Sequence, residues 1–218
     1  MGLWDHTAYV QAPVDEIVGA LRGVFDRAGR TAVVGPVARE PWPRDPMQYG
    51  SAAACSRWAA AVIAGPSGWS AVKTAPFELL CEPDESGTAP RLAALGRELG
   101  CCGFQLNLYD AYSTTLVEAG RTGAFHVSGF VGADGPGAFC GFEVAADRFE
   151  ARLYQLEVPG VNDALAAAFL ADGVVAVRRL LMGPIEPLDN LVQVQYLIPG
   201  EPLPIPGAHA VYGEAAEA

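Results

Sequence analysis

The sequence predicts an α+β fold, in which a mostly antiparallel β-sheet carries about three helices on one face. Two patterns indicate this class: apolar residues recur at helical spacing in some segments, and other segments alternate apolar and polar residues as strands do. The order of the segments is the third observation. Helices do not alternate regularly with strands, as they would in a parallel α/β sheet, so an antiparallel sheet is expected.

The N-terminal segment predicts a strand followed by a helix that starts at Pro13. Proline suits the first helical turn, and Asp15 and Glu16 are favourable at the positive end of the helix dipole. Gly29 is a suitable helix stop. The apolar residues of this helix share one stripe, formed by Val14, Ile17, Val18, Leu21, Val24 and Phe25.

The segments after this helix predict a short strand, an irregular loop and a β-hairpin. The loop PWPRDPMQYG holds three prolines, which exclude regular secondary structure. The hairpin consists of two apolar strands joined by the turn Gly-Pro-Ser-Gly. Alternation along its second strand places Trp69, Ala71 and Lys73 on one face.

A second helix is predicted between Thr88, its expected N-cap, and Gly100, which suits the position after its end. The strand GFQLNLYD follows. It alternates so regularly that Gln105 and Asn107 are expected on the polar face of an antiparallel sheet. Further strands continue this meander up to a third helix, which is predicted from Asn162.

These elements predict one α+β domain over residues 1–200 and a proline-rich C-terminal tail over residues 201–218. A helix followed by strands recurs along the chain. A division of the domain into two loosely similar halves, 1–85 and 86–200, therefore stays open.

Charge and composition argue against several classes of function. The net charge is −11 and the 14 cationic residues are scattered, so no nucleic-acid partner is expected. No apolar run reaches the roughly 18 residues that a membrane-spanning helix needs, so no membrane partner is expected either. The opening MGLWDHTAYV lacks the basic and apolar regions of a secretory signal, which predicts a cytoplasmic protein.

The cysteines and histidines show no metal-ligand spacing, so the sequence predicts no metal site and no cofactor. In a reducing cytoplasm the cysteines are expected to be free thiols that pack as small apolar side chains. They are Cys55, Cys81, Cys101, Cys102 and Cys140.

Three residues are candidates for catalysis. A hairpin places His126 and Cys140 within range of one another, as an imidazole and a thiol. Lys73 is the only lysine of the chain and could act as a desolvated base. An amphipathic lysine beside Trp69 explains it without catalysis. Since no third catalytic group or oxyanion motif accompanies these residues, a non-enzymatic protein is the leading prediction.

Aromatic residues in the first third of the chain predict a binding surface, because aromatic side chains dominate protein interfaces. The predicted contact residues are Trp42, Arg44, Tyr49, Trp69 and Lys73. With the acidic charge, they indicate a protein-binding domain, resembling an immunity or antitoxin protein or an assembly accessory protein, whose partner is basic. Two alternatives stay open: a small-molecule-binding protein or thiol-dependent enzyme with a cavity between sheet and helices, and a self-assembling subunit that forms homo-oligomers.

The segment YVQAPVDEIVGALRG is similar to the opening of helix-grip, lipid-transfer-like domains, in which a strand precedes Ala-Pro and an acidic helix start. This similarity covers about fifteen residues. The long C-terminal helix of those domains has no counterpart here, where a helix, a strand and a tail are predicted instead.

Overall fold

The computed structural model describes residues 5–37, 52–65, 68–109, 113–131, 138–143 and 208–215. Within these ranges two α-helices and a short 3-10 turn at Ala52–Ala54 accompany the strands. The helices are α1 (Val14–Arg27) and α2 (Arg91–Leu99). The strands are β1 (Asp5–Val10), β2 (Arg30–Gly35), β3 (Arg57–Ala64), β4 (Ser70–Ala75), β5 (Gly103–Tyr109), β6 (Ser113–Ala119), β7 (Phe125–Val131), β8 (Ala138–Phe139), β9 (Phe142–Glu143) and β10 (Ala208–Ala215).

Eight of the described strands form one sheet in the order β2-β10-β3-β4-β1-β5-β6-β7. Every neighbouring pair is antiparallel, which confirms the predicted mostly antiparallel α+β architecture. Strands β8 and β9 form a separate small hairpin. The described residues contain two α-helices, whereas the sequence predicts about three. The segment predicted as the third helix, from Asn162, lies outside the described residues.

Helix α1 has the predicted apolar stripe and packs it against the sheet, with Ile17, Leu21 and Phe25 fully buried. The chain leaves α1 through Gly29, whose φ of 72° suits glycine. The close approach of α1 to β10 requires a second glycine. A Cβ atom on Gly213 would lie 2.6 Å from Cδ2 of Phe25, closer than real carbon contacts allow.

Helix α2 begins later than the sequence predicts. Its first residue is Arg91, preceded by Pro90, and Thr88 is an exposed loop residue instead of the N-cap. The first amides are satisfied by the preceding loop, because Arg91 N donates to Glu82 O at 3.0 Å and Leu92 N donates to Leu80 O at 2.8 Å. These two hydrogen bonds fix residues 80 to 82 against the start of α2.

The expectation of a solvent-facing side on β5 is wrong. Gln105 and Asn107 are as buried as Phe104 and Leu106, which point to the opposite face. Amides in these positions are buried because their face of the sheet is the one on which the helices and the turn after β4 pack. Their hydrogen bonds with other buried groups compensate for the loss of water.

The C-terminal segment contributes to the centre of one half of the sheet. Residues 201–218 were predicted as a tail, yet Ala208–Ala215 form β10, which lies between β2 and β3. Ala210 and Val211 are fully buried there. Strands from both proposed halves share the sheet, since β1 pairs with β4 on one side and β5 on the other. In the ranges described, no helix has the length and apolarity needed to span a bilayer.

Candidate functional site

The predicted contact residues fall into two groups. Trp42, Arg44 and Tyr49 lie outside the described residues. Trp69 and Lys73 lie on the sheet face opposite the helices, and Trp69 packs edge-on against Phe104 with ring centroids 5.6 Å apart. Only 1% of Trp69 and 7% of Lys73 is exposed, so both are packed within the chain, and their role in partner binding stays a prediction.

The structure does not bring His126 and Cys140 together. His126 alternates with the core residue Val127 on β7, so its ring points away from the helix-facing side, and it stands opposite Glu118 of β6. Cys140 lies on the helix-facing side, where it packs against the hydrophobic core. The two candidate groups are therefore on opposite faces of the sheet.

A different set of polar residues meets beneath the turn that follows β4. We call it the polar cluster: His6 of β1, Gln105 and Asn107 of β5, and Cys81 of the turn, which are joined by hydrogen bonds. Cross-strand pairing places His6 directly opposite Asn107. The imidazole of His6 also stacks on the ring of Phe77, with centroids 4.8 Å apart.

A chain of hydrogen bonds determines how the side chains of the polar cluster are oriented. Gln105 Nε2 donates to the backbone carbonyl of Phe77 at 3.1 Å, and a carbonyl can only accept. The same nitrogen donates to Asn107 Oδ1 at 2.8 Å, which fixes the amide of Asn107. His6 Nδ1 lies 3.1 Å from that oxygen and must therefore carry the proton.

The other end of the Asn107 amide contacts a thiol. Asn107 Nδ2 donates to the sulfur of Cys81 at 3.5 Å, a normal length for a bond to sulfur. One asparagine thus orients both an imidazole and a thiol. In the neutral ring, Nε2 of His6 carries the lone pair, since Nδ1–H is committed to Asn107.

Cys140 has an unusual backbone conformation at the turn of the β8–β9 hairpin. The pair Phe139 and Phe142 closes a two-residue turn in which Cys140 has a φ of 49° and Gly141 a φ of 86°. Both values are those of a type I′ turn, whose first position normally favours asparagine or glycine. The hydrogen bond with Cys81, burial and the nearby Glu78 carboxylate together raise the pKa of the Cys140 thiol strongly.

Two buried polar atoms beside the polar cluster have no hydrogen-bond partner among the residues that the structure describes. They are Gln105 Oε1 and Thr115 Oγ1, and Thr115 is paired with Asn107 across β5 and β6. Buried oxygens are normally satisfied by protein groups or bound molecules. A molecule that satisfied both would have to donate to Gln105 Oε1, because a carbonyl oxygen accepts only.

A second cluster surrounds Trp58 at the start of β3. The Arg30 guanidinium lies 4.0 Å from the centroid of the Trp58 ring, and the Arg91 guanidinium lies 4.9 Å from it. Arg91 pairs with Glu82 at 3.6 Å, and Glu82 also accepts from Ala52 N at 2.7 Å. All four charged and aromatic side chains are buried, so this cluster connects β2, β3 and the start of α2.

Within the described ranges, β2 is an edge strand of the sheet, and it exposes two valines. Among the residues that the structure describes, β2 pairs only with β10. Val33 is 57% exposed and Val34 is 40% exposed, on opposite faces of the strand. From Thr31 to Gly35 the strand carries no charge, whereas edge strands are usually protected by charged residues or proline.

The sequence did not predict the polar cluster, because the alternating polar residues of β5 were interpreted as a solvent-facing side. Such alternation is compatible with either a solvent-facing or a buried polar face. Nothing in the sequence indicates that Cys81 lies above these residues. No three His, Cys, Asp or Glu side chains within the described ranges are arranged to bind a metal ion.

No family model matches this chain, and neither does any curated protein or solved structure, so the similarity in its first strand and helix stays a local resemblance.

Proposed function

We propose that this protein binds another protein through the edge strand β2. The single observation that supports this most directly is the stretch Thr31–Gly35 of β2, which carries no charge and exposes Val33 and Val34 on opposite faces. Among the described residues, only β10 pairs with this strand. An edge strand presents backbone N–H and C=O groups that a strand of a partner can pair with, and exposed side chains then supply specificity. The function is therefore binding, in a neutralising or assembly role, and requires no catalysis.

The charge of the chain favours a basic partner. With a net charge of −11, the protein attracts cationic surfaces over a distance of about 8–10 Å at moderate salt. The electrostatic field speeds the encounter, and the apolar edge supplies contact that is independent of salt. Binding should therefore weaken with salt but persist.

The substitution Val33→Lys tests this proposal. Lysine on an edge strand blocks further strand pairing, so partner affinity is expected to fall about tenfold or more. Tagged wild-type protein is used to isolate partners from an extract of the source cells. The purified partner is then titrated against wild type, Val33→Lys and the matched control Val33→Thr, which keeps the β-branched shape.

Equal affinity of wild type and Val33→Lys would contradict binding through β2. Light scattering on the isolated protein identifies a second copy as the partner instead. A homodimer that Val33→Lys converts to a monomer would show that β2 pairs with β2 of another copy, which is the self-assembly alternative.

A second candidate function, binding of a small polar molecule between sheet and helices, has one specific observation in its favour. Gln105 Oε1 and Thr115 Oγ1 are buried, and no described group forms a hydrogen bond with either. If a molecule satisfies them, Thr115→Val removes a hydrogen bond and is expected to destabilise the fold by about 1 kcal/mol. If nothing is bound, the isosteric valine relieves an unsatisfied hydroxyl and stabilises the fold. Urea unfolding of both proteins, with Thr114→Val on the neighbouring position as control, decides between the two.

A further inference from the structure

We propose that the protein binds a small, uncharged molecule through a carboxamide group, which is held between Gln105 Oε1 and Thr115 Oγ1. This inference rests on the second candidate function, the binding of a polar molecule between sheet and helices, and names the chemical class of that molecule. It is independent of partner binding through β2.

The first argument is the placement of the two oxygens. Thr115 of β6 pairs with Asn107 of β5, and Gln105 lies two residues before Asn107 on the same strand. Gln105 and Thr115 are therefore diagonal neighbours on one face of the sheet, and the Cβ atoms of such neighbours are about 7 Å apart. One polar group of a few heavy atoms can reach both oxygens. Only 1% of each residue is exposed, so the bound group is enclosed.

The second argument is that hydrogen bonds within the polar cluster fix the direction of Gln105 Oε1. Gln105 Nε2 donates to the Phe77 carbonyl at 3.1 Å and to Asn107 Oδ1 at 2.8 Å. A rotation of the amide by half a turn would bring Oε1 against the Phe77 carbonyl, and neither oxygen can donate. The Asn107 amide is held as well, because its Nδ2 donates to Cys81. Gln105 Oε1 is thus a buried, oriented acceptor that requires a donor from a bound molecule.

The third argument is the chemistry that satisfies both oxygens. The bound group must donate to Gln105 Oε1, which excludes a carboxylate, since an ionised carboxylate only accepts. A cation would donate, but Gln105, Asn107 and Thr115 are uncharged, and a buried charge without a counter-ion is costly. A carboxamide matches the pair. Its N–H donates to Gln105 Oε1, and its carbonyl accepts from the hydroxyl of Thr115.

The neighbouring strand indicates where the bound group extends. Opposite Thr115, β7 has Gly129, which contributes no side chain. On the other side, Asn107 and His6 continue the same row of residues on β5 and β1. The side chains of this row therefore become smaller from β5 to β7. We expect the bound group to extend from Gln105 over Thr115 towards Gly129.

The test uses isotopically labelled full-length protein and acetamide as the probe, because acetamide is little more than a carboxamide group. Acetone and acetate have nearly the same shape but no donor. The side-chain N–H signals of Gln105 are followed by NMR, since a donor bound to Oε1 polarises the same amide. Acetamide is expected to shift these signals saturably at millimolar concentration. Acetone and acetate are expected to bind at least about tenfold more weakly.

Two variants make the test specific. Thr115→Val keeps the shape of the side chain but removes the hydroxyl, so its affinity for acetamide is expected to fall about tenfold. The matched control is Thr88→Val, which makes the same change at an exposed loop position and is expected to bind acetamide as wild type does. Equal affinity of wild type and Thr115→Val would overturn the inference.

The remaining outcomes separate failure of this inference from failure of the second candidate function. If Thr115→Val destabilises the fold but acetamide leaves the Gln105 signals unchanged, the two oxygens hold bound water only, and the inference is overturned. Tighter binding of acetone or acetate would retain a ligand site but overturn the carboxamide class. If Thr115→Val stabilises the fold and no probe binds, the second candidate function fails together with the inference.

Discussion

Replacement of Trp58 by alanine is expected to lower the free energy of unfolding by about 4 kcal/mol or more. The indole is buried, packs edge-on against Phe25 with centroids 5.5 Å apart, and donates from Nε1 to Ala52 O at 2.7 Å. Its removal leaves a cavity and also strips the guanidiniums of Arg30 and Arg91 of the ring beneath them. The measurement is urea unfolding followed by circular dichroism.

Two controls separate the contributions of Trp58. Trp58→Phe keeps an aromatic ring but loses the Nε1 hydrogen bond and some volume, and is expected to lose about 2 kcal/mol. Phe125→Ala removes a ring that is 37% exposed. It should lower the free energy of unfolding by less than either Trp58 variant does. A loss for Trp58→Ala no larger than that for Phe125→Ala would show that Trp58 is not the centre of this cluster.

Replacement of Glu82 by alanine is expected to destabilise the fold by about 3 kcal/mol. The carboxylate is buried between Arg91 and the Ala52 amide, so truncation leaves a buried guanidinium without one of its two carboxylate partners and a buried N–H without its acceptor. The Arg91 guanidinium keeps Glu85 at 3.4 Å and the Leu79 carbonyl at 3.2 Å, which limits the loss. Urea unfolding near neutral pH gives the value.

The conservative variant Glu82→Gln adds a pH dependence with a defined sign. Burial raises the pKa of Glu82 above its ordinary value of 4.5, against the lowering effects of the Ala52 amide and Arg91. At pH values between 4.5 and the raised pKa, Glu82 is protonated in the folded state more often than in the unfolded state, so the folded state binds more protons. Protonation of Glu82 therefore stabilises the folded state. This stabilisation is complete below pH 4.5 and is lost as the pH rises through the raised pKa of the folded state.

Glutamine does not titrate, so the stability difference between wild type and Glu82→Gln is expected to be larger at about pH 4 than at about pH 7. Subtracting the unfolding free energies of the two proteins at each pH cancels the contributions of all other titrating groups. A difference that grows towards pH 7 would show that the ion pair with Arg91 outweighs burial.

Several elements follow from local patterns in the sequence. The stripe from Val14 to Phe25 specifies α1, because residues three and four apart share one side of a helix whatever the rest of the chain does. Gly100 ends α2 in the left-handed conformation, with a φ of 61°. The β3–β4 hairpin needs only two apolar strands and a turn between them.

The candidate site could not be predicted in the same way. Alternation along β5 shows that Gln105 and Asn107 share a face, but alternation does not reveal whether that face meets water or protein. The pairing of His6 with Asn107 joins strands that are far apart in the chain. The predicted partnership of His126 and Cys140 failed because adjacency through a hairpin does not place two side chains on the same face.

The sequence by itself determined the periodic elements, the antiparallel class and the acidic charge, since each depends on residues that are near neighbours or on composition alone. Only the tertiary structure decided that β10 enters the sheet between β2 and β3, that two arginines share Trp58, and that His6 meets Asn107. The physical reason is that these contacts join distant segments. Their formation depends on how all the strands pair and on which surfaces the packing of helices and turns removes from water.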